Sequence, residues 1–312
     1  MIKIRILFMG TPDFAVPCLK RLIQDGHEIV GVVTQPDKPK GRGHKLMPPP
    51  VKEAAMENGI EVFQPQSLKN EAFLPELERL RPELIVVVAY GKILPCYVLE
   101  FPQHGCINVH ASLLPKYRGA GPIQWSIIEG ESVTGVTTMY MGEQLDAGDM
   151  ILKAETAIGE EETAGELFDR LALMGAELLA DTLKCIDSGD VPREQQDESL
   201  VTYAPMVSRE TGHIDWKKDA DSIRNLIRGT NPWPLSYSIY QGQTLKIIHA
   251  VKGEPFSGKA GEILMADKHG IRVVCGNGET LCIDEIQMQG SKRMRVADYL
   301  NGHEIAVGTI LE

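Results

Sequence analysis

The sequence predicts an α/β fold, a mostly parallel sheet covered by helices, followed by a small antiparallel β-barrel. Three observations carry this reading. Short β-branched runs alternate with amphipathic stretches from the start of the chain to about residue 188. Two of those runs, Ile29-Val30-Gly31-Val32-Val33 and Leu84-Ile85-Val86-Val87-Val88, are apolar throughout instead of alternating, as strands buried on both faces are. After residue 209 the chain changes to closely spaced short strands parted by turn residues, the texture of a small closed barrel.

In order along the chain, strands are expected at 4–9, 28–34, 61–63, 84–89, 106–110 and 135–141, and amphipathic helices at 14–24, 51–58, 71–81 and 123–129. Thr163 and Glu166 have the spacing of a capping box. They open a long helix reaching about Asp187, whose Leu167, Leu171, Met174, Leu178 and Leu179 recur with helical period. The stretch 189–208 is polar, carries two prolines and has no period, so it reads as a linker between a first domain, 1–188, and a second, 209–312. The second domain is expected to hold one helix, 220–228, and strands at 235–240, 244–250, 261–265, 271–274 and 280–286.

Composition narrows the function. A chain of 312 residues with 43% hydrophobic and 24% charged residues is ordinary globular protein, long enough for two cores. The longest apolar stretch, Leu84 to Tyr90, falls far short of the ~20 residues of a membrane span. The opening MIKIRILF reads as a first strand and not a signal peptide. Six cysteines are scattered without CxxC pairs, so no metal site is expected, and a reduced cytoplasmic protein is the plain reading. Nothing demands an oligomer; a monomer is expected. The net charge of −11 disfavours nonspecific binding to polyanions or membranes, so a polyanionic partner must be held by a local basic patch. Two patches qualify. Lys38, Lys40, Arg42 and Lys45 fall within eight residues that contain no acid and are framed by prolines and glycines, which predicts a projecting loop. Lys292, Arg293 and Arg295 form the second, in a half whose acidic and basic residues balance.

The first turn after a strand, Gly10-Thr11-Pro12-Asp13, lacks the second and third glycines of a dinucleotide fingerprint, which argues against a nicotinamide dehydrogenase. The chemistry concentrates later. If 106–110 is a strand, Asn108 and His110 are two apart and share one face. An amide and an imidazole side by side can stabilise a developing oxyanion. A further loop, Leu145-Asp146-Ala147-Gly148-Asp149, offers a carboxylate to orient the imidazole and move protons. Trp216 and Trp233 are expected to be buried structural residues, the latter in a rigid corner between Pro232 and Pro234.

Together these residues amount to a resemblance. GCINVHASLLPKYRGAGPIQWSII followed by LDAGD resembles the signature of the 10-formyltetrahydrofolate-dependent formyltransferases. FMGTPDFAVPCL, TQPDKPKGRGHKLMPPPVK, VVVAYGKILP and NPWPLSY extend it nearly end to end, toward the members that formylate aminoacylated initiator tRNA. The resemblance implies a Rossmann-like formyltransferase domain followed by an oligonucleotide-binding-like barrel. It implies formyl transfer from 10-formyltetrahydrofolate, with no metal, to the α-amino group of methionyl initiator tRNA, giving the N-formylated form used in translation initiation. The positions it implies for catalysis are Asn108, His110 and Asp146. For folate they are Ser112, Leu113, Leu114 and Pro115. For tRNA they are the loop of Lys38, Lys40, Arg42 and Lys45, with Lys292, Arg293 and Arg295 as a second contact. The run Met141-Gly142-Glu143-Gln144-Leu145-Asp146 departs from the family's MDxGLDxGD.

Overall fold

A computed structural model describes residues 3–40 and 45–312. The chain forms two compact units and passes between them several times: Met1–Pro122, Val133–Thr156 and Phe168–Ala204 build the first, and Ile123–Ser132, Ala157–Leu167 and Pro205–Glu312 the second.

The first unit contains strands β1 (Arg5–Gly10), β2 (Glu28–Val33), β3 (Lys38–Lys40), β4 (Lys45–Met47), β5 (Val62–Phe63), β6 (Leu84–Val88), β7 (Cys106–His110), β8 (Val133–Tyr140) and β9 (Met150–Ala157). Seven of them form one sheet in the order β5-β2-β1-β6-β7-β8-β9, while β3 and β4 pair as a separate hairpin. From β5 through β7 all neighbours run parallel. β8 runs antiparallel to β7. The C-terminal ends of β1, β2, β6 and β7 therefore share one edge, and the β3–β4 hairpin grows from that edge after β2.

Both faces of the parallel part are covered, which accounts for its uninterrupted apolar runs. Leu7, Met9, Val33, Ile85 and Val87 pack on one face with Phe73, Leu77 and Leu80, the last two from helix Leu74–Leu80. Gly31 is required inside β2 because a Cβ there would sit 2.8 Å from the Phe63 ring. Gly10 closes β1 in the same way: a Cβ would lie 2.8 Å from Ala15 Cβ and 2.9 Å from Val88 O. The turn that lacks a dinucleotide fingerprint is thus filled by the protein itself.

The remaining expectations are adjusted by packing. The long helix spans Ala164–Ser188 and opens with the expected capping box, Thr163 N donating to Glu166 and Glu166 N to Thr163 Oγ1. β9 was not anticipated, although its outer part alternates between exposed and half-buried positions as an edge strand does. The expected basic loop is a two-stranded hairpin with Lys38 opposite Met47 and Lys40 opposite Lys45. The stretch read as a linker does not hang free, since residues up to Ala204 bond within the first unit. Met150 and Glu194 exchange both backbone hydrogen bonds, and Arg118 exchanges with Thr202 and Ala204.

The second unit contains helix Ala220–Gly229, whose Asp219 cap accepts from Ser222 N at 2.8 Å. Its strands are β10 (Ser236–Tyr240), β11 (Gln243–Gly253), β12 (Ile263–Asp267), β13 (Gly270–Val274), β14 (Thr280–Met288) and β15 (Met294–Arg295). The antiparallel order is β10-β11-β14-β13-β12, with β15 beside β14. The chain terminus joins the two edges. Ile239 on β10 exchanges both backbone bonds with Glu312, while Ile263 donates to Thr309 and Leu311 donates to Gly261 before β12. That segment closes the sheet into a ring around Ile247, Ile263, Ile271, Val273, Leu281, Ile283 and Ile286. Trp216 is buried, donating from its indole to Ser238 Oγ at 3.0 Å. Trp233 departs from expectation: it is 57% exposed, because the prolines on either side turn the chain without enclosing the ring.

Leu7 is fully buried between sheet and helix, so Leu7→Ala should cost about 3 kcal/mol, read as a lower urea midpoint with the same slope.

Candidate active site

β7 sets the site. Its interior pairing with β6 and β8 fixes Asn108 opposite Val87 and Met139, and His110 opposite Thr137. The two side chains leave the same face, two residues apart. Asn108 is 9% exposed and His110 5%. Among the described residues the Asn108 amide has no hydrogen-bond partner. The amide is therefore not committed to another protein group and is free to donate to a bound oxygen.

The loop after β7 is held by its own polar atoms. Ser112 Oγ donates to Lys116 O at 2.6 Å, Thr137 Oγ1 donates to Ser112 O at 2.7 Å, and Leu114 N donates to Thr137 Oγ1 at 3.2 Å. Leu114 is buried against Met139 and Met150. Of the four residues matched to folate binding, Ser112 and Leu114 therefore face inward and shape the loop, while Leu113 and Pro115 are half-buried and accessible. Tyr117, at φ +62°, turns its carbonyl toward His110 Nε2 at 2.9 Å. A carbonyl only accepts, so Nε2 carries the proton and Nδ1 is the basic nitrogen of the neutral ring.

Nδ1 faces Asp146 Oδ2 at 3.7 Å. That carboxylate arrives by an unexpected route. Because β8 is antiparallel, Tyr140 lies opposite Ile107, so the following loop leaves from the far edge and doubles back over the sheet face. Tyr140 N donates to Asp149 O at 2.9 Å, and a Cβ on Gly148 would collide with Tyr140 O at 1.9 Å. Asp146 itself sits at φ +49°, a left-handed conformation that Asp tolerates better than most residues. Its Oδ2 accepts from Gly119 N at 2.8 Å. Gln196 reaches both sides of the acid, donating to Asp146 O at 2.8 Å and Gly148 O at 2.9 Å. Within the run that departs from the family pattern, Gly142 and Gln144 are the changed positions, and Glu143 between them has a local role: its Oε1 accepts from Cys96 Sγ at 3.1 Å, tying the loop to helix Cys96–Leu99.

The site thus brings together Asn108, His110 and Asp146. Sequence reasoning missed Tyr117 O, Gly119 N, Arg118 and Gln196, the first two because backbone groups leave no letter. The basic candidates lie apart from this cluster in the chain. Lys38 is exposed, its Nζ donating to Gln35 Oε1 at 2.9 Å. Arg42 lies outside the described residues, and Lys40 and Lys45 are placed only by their register. In the second cluster Arg293 is paired bidentately with Glu285 at 2.5 and 2.7 Å, so its charge is already matched. Lys292 and Arg295 are exposed. Among the described residues no group of three or more His, Cys, Asp or Glu could hold a metal ion.

The Glu143 carboxylate pushes the Cys96 thiol up from its ordinary value, first because it accepts the thiol's hydrogen bond and then because a thiolate there would face a like charge. Glu143→Gln should therefore lower that value and raise the rate of Cys96 labelling at pH 8 about threefold. An unchanged rate would mean that the loop does not rest on this helix. Cys18 and Cys106, buried and pushed up to about 12, should stay unreactive in both proteins.

Comparison with known proteins identifies the family. Residues 2–183 match the formyl transferase family and residues 206–304 the formyl transferase C-terminal domain. The chain is 54% identical over 308 residues to the methionyl-tRNA formyltransferase of Alkaliphilus oremlandii, covering 98% of this chain and 99% of that one. It is 53% identical over 309 residues to that of Caldanaerobacter subterraneus subsp. tengcongensis, covering 99% and 100%. Among solved structures it is similar in fold to WlaRD, a sugar 3N-formyl transferase, with TM-score 0.68, 18% identity and coverage of 94% and 100%. It is also similar to HypX from Aquifex aeolicus in complex with tetrahydrofolic acid, with TM-score 0.66, 18% identity and coverage of 96% of this chain and 47% of that one. The chain belongs to the formyltransferase family, among the methionyl-tRNA formyltransferases.

Proposed function

We propose that this chain transfers the formyl group of 10-formyltetrahydrofolate to the α-amino group of methionine carried on initiator tRNA, using Asn108, His110 and Asp146. The observation that supports the site most is the meeting of His110 with Asp146 beside an Asn108 amide that has no partner within the described protein. Half-identity over nearly the full length of methionyl-tRNA formyltransferases supports the substrates.

Each residue has a distinct task in the proposed acyl transfer. The neutral amine attacks the formyl carbon, a new N–C bond forms, and the formyl oxygen gathers negative charge. The Asn108 amide donates to that oxygen. The expectation gave His110 a second hydrogen bond to it, but Nε2–H is committed to Tyr117 O. The ring instead acts through Nδ1, and its positive charge, when protonated, stabilises the oxyanion electrostatically. His110 and Asp146 together receive the proton lost by the attacking nitrogen and return one to folate N10 as the C–N10 bond breaks. Proton and electron-pair counts balance without a redox step.

The β3–β4 hairpin follows β2 at the sheet edge where β7 also ends, and the basic run Lys38, Lys40, Arg42 and Lys45 spans it in sequence, which supports a role for that run as the contact for tRNA phosphates. Lys292 and Arg295 offer a second, smaller contact. No helix of the described residues is long and apolar enough to cross a membrane; with its substrate, this supports a cytoplasmic site of action.

Two measurements test this reading. Asn108→Ala should slow single-turnover formyl transfer about a hundredfold at saturating substrates; a near-native rate would remove Asn108 from oxyanion stabilisation. Neutralising Arg42 and Lys45 together should weaken tRNA binding and flatten the plot of log affinity against log salt by about one unit per lost phosphate contact. An unchanged slope would make the hairpin structural.

A further inference from the structure

We propose that Gln196 is a positioning residue for the reaction, holding Asp146 at His110 through a relay anchored on Arg118. This inference rests on the role given to Asp146 above and concerns a residue in the segment that reads as a linker. Its side-chain amide bonds three partners: Nε2 donates to Asp146 O at 2.8 Å and to Gly148 O at 2.9 Å, and Oε1 accepts from Arg118 Nε at 3.0 Å. Carbonyls only accept and a guanidinium only donates, so all three bonds demand the same orientation of the amide. The relay rests on a buried guanidinium. Arg118 is 3% exposed, and its other nitrogens donate to Glu198 at 2.7 and 3.4 Å.

Each partner belongs to a piece of the site. Arg118 lies between Tyr117, whose carbonyl fixes the His110 ring, and Gly119, whose N–H binds the Asp146 carboxylate at 2.8 Å. Asp146 and Gly148 belong to the loop that doubles back over the sheet. Gln196 is thus the side chain that ties the loop bearing the acid to the loop bearing the groups that receive it. A loop residue at φ +49° persists where its surroundings over-determine it, and two donors on carbonyls 146 and 148 supply that constraint. The 3.7 Å gap between Oδ2 and Nδ1 is longer than a hydrogen bond, so a small displacement of the loop changes whether proton transfer can occur. Misplacement of about 1 Å in such a geometry can cost up to a hundredfold in rate.

The informative substitution is Gln196→Glu. It keeps the acceptor toward Arg118 and nearly the same shape, and replaces both donors to the loop with an anionic oxygen. At pH 7.5 the single-turnover formyl transfer rate should fall about 10- to 100-fold, with KM for tRNA and for 10-formyltetrahydrofolate within twofold and the melting temperature lowered by only about a few degrees. The deficit should shrink as pH is lowered, because the protonated carboxyl regains one O–H donor, whereas Gln196→Ala should show a deficit that pH does not relieve. A rate within threefold of wild type for both variants, or a loss confined to KM, would overturn the proposal. Asp146→Asn, measured alongside, separates the two levels. If it is inactive while Gln196→Glu is not impaired, only the positioning role fails. If Asp146→Asn itself retains full rate, the role of Asp146 fails and this inference with it.

Discussion

The site depends on one hydrogen bond, from His110 Nε2 to the carbonyl of Tyr117. Because the acceptor is a carbonyl, it dictates which nitrogen bears the proton in the neutral ring, and therefore which nitrogen faces Asp146. The backbone around Tyr117 is shaped to deliver that oxygen. Tyr117 has positive φ, its N–H is held by Thr202 Oγ1 at 2.9 Å, and Arg118 exchanges backbone bonds with Thr202 and Ala204. The His110 imidazole is thus oriented by a loop that a distant part of the sequence straps in place.

The sheet explains why the remaining groups sit where they do. β7 is the last strand of the parallel series and β8 the first to reverse. A strand interior places Asn108 and His110 with little freedom, which suits the proposed action of both on one small carbonyl. The reversal sends the next loop out of the opposite edge, so the acid returns over the face instead of rising beside its neighbours. Such a loop needs external support. Gly119 N supplies it from one direction, Glu143 on Cys96 from another, and the segment around Gln196 from a third.

Much of this was legible in the letters, and the exceptions share a cause. The apolar runs at β2 and β6 report burial on both faces, and 106–110 coincides with β7 because burial and alternation agree there. The basic hairpin reads as a loop because proline, glycine and lysine dominate it, and local composition outweighs a pairing that only register reveals. The antiparallel turn of β8 was hidden for a similar reason, since strand direction is set by connection and not by composition. Residues 189–204 read as linker because their bonds run to residues far away in sequence and carry no period. Trp233 failed differently: proline flanks signal a bend, and a bend can present a ring to solvent as readily as bury it.

The most direct test of the account is the protonation pattern of His110. In 15N spectra of protein labelled at its eight histidine side chains, the His110 signals can be assigned by comparison with His110→Gln. The account predicts that the neutral ring carries its proton on Nε2, leaving Nδ1 with the shift of a nitrogen that has only a lone pair. A neutral ring protonated on Nδ1 would contradict it, since Tyr117 could not then accept, and the nitrogen facing Asp146 would not be the one that takes up a proton.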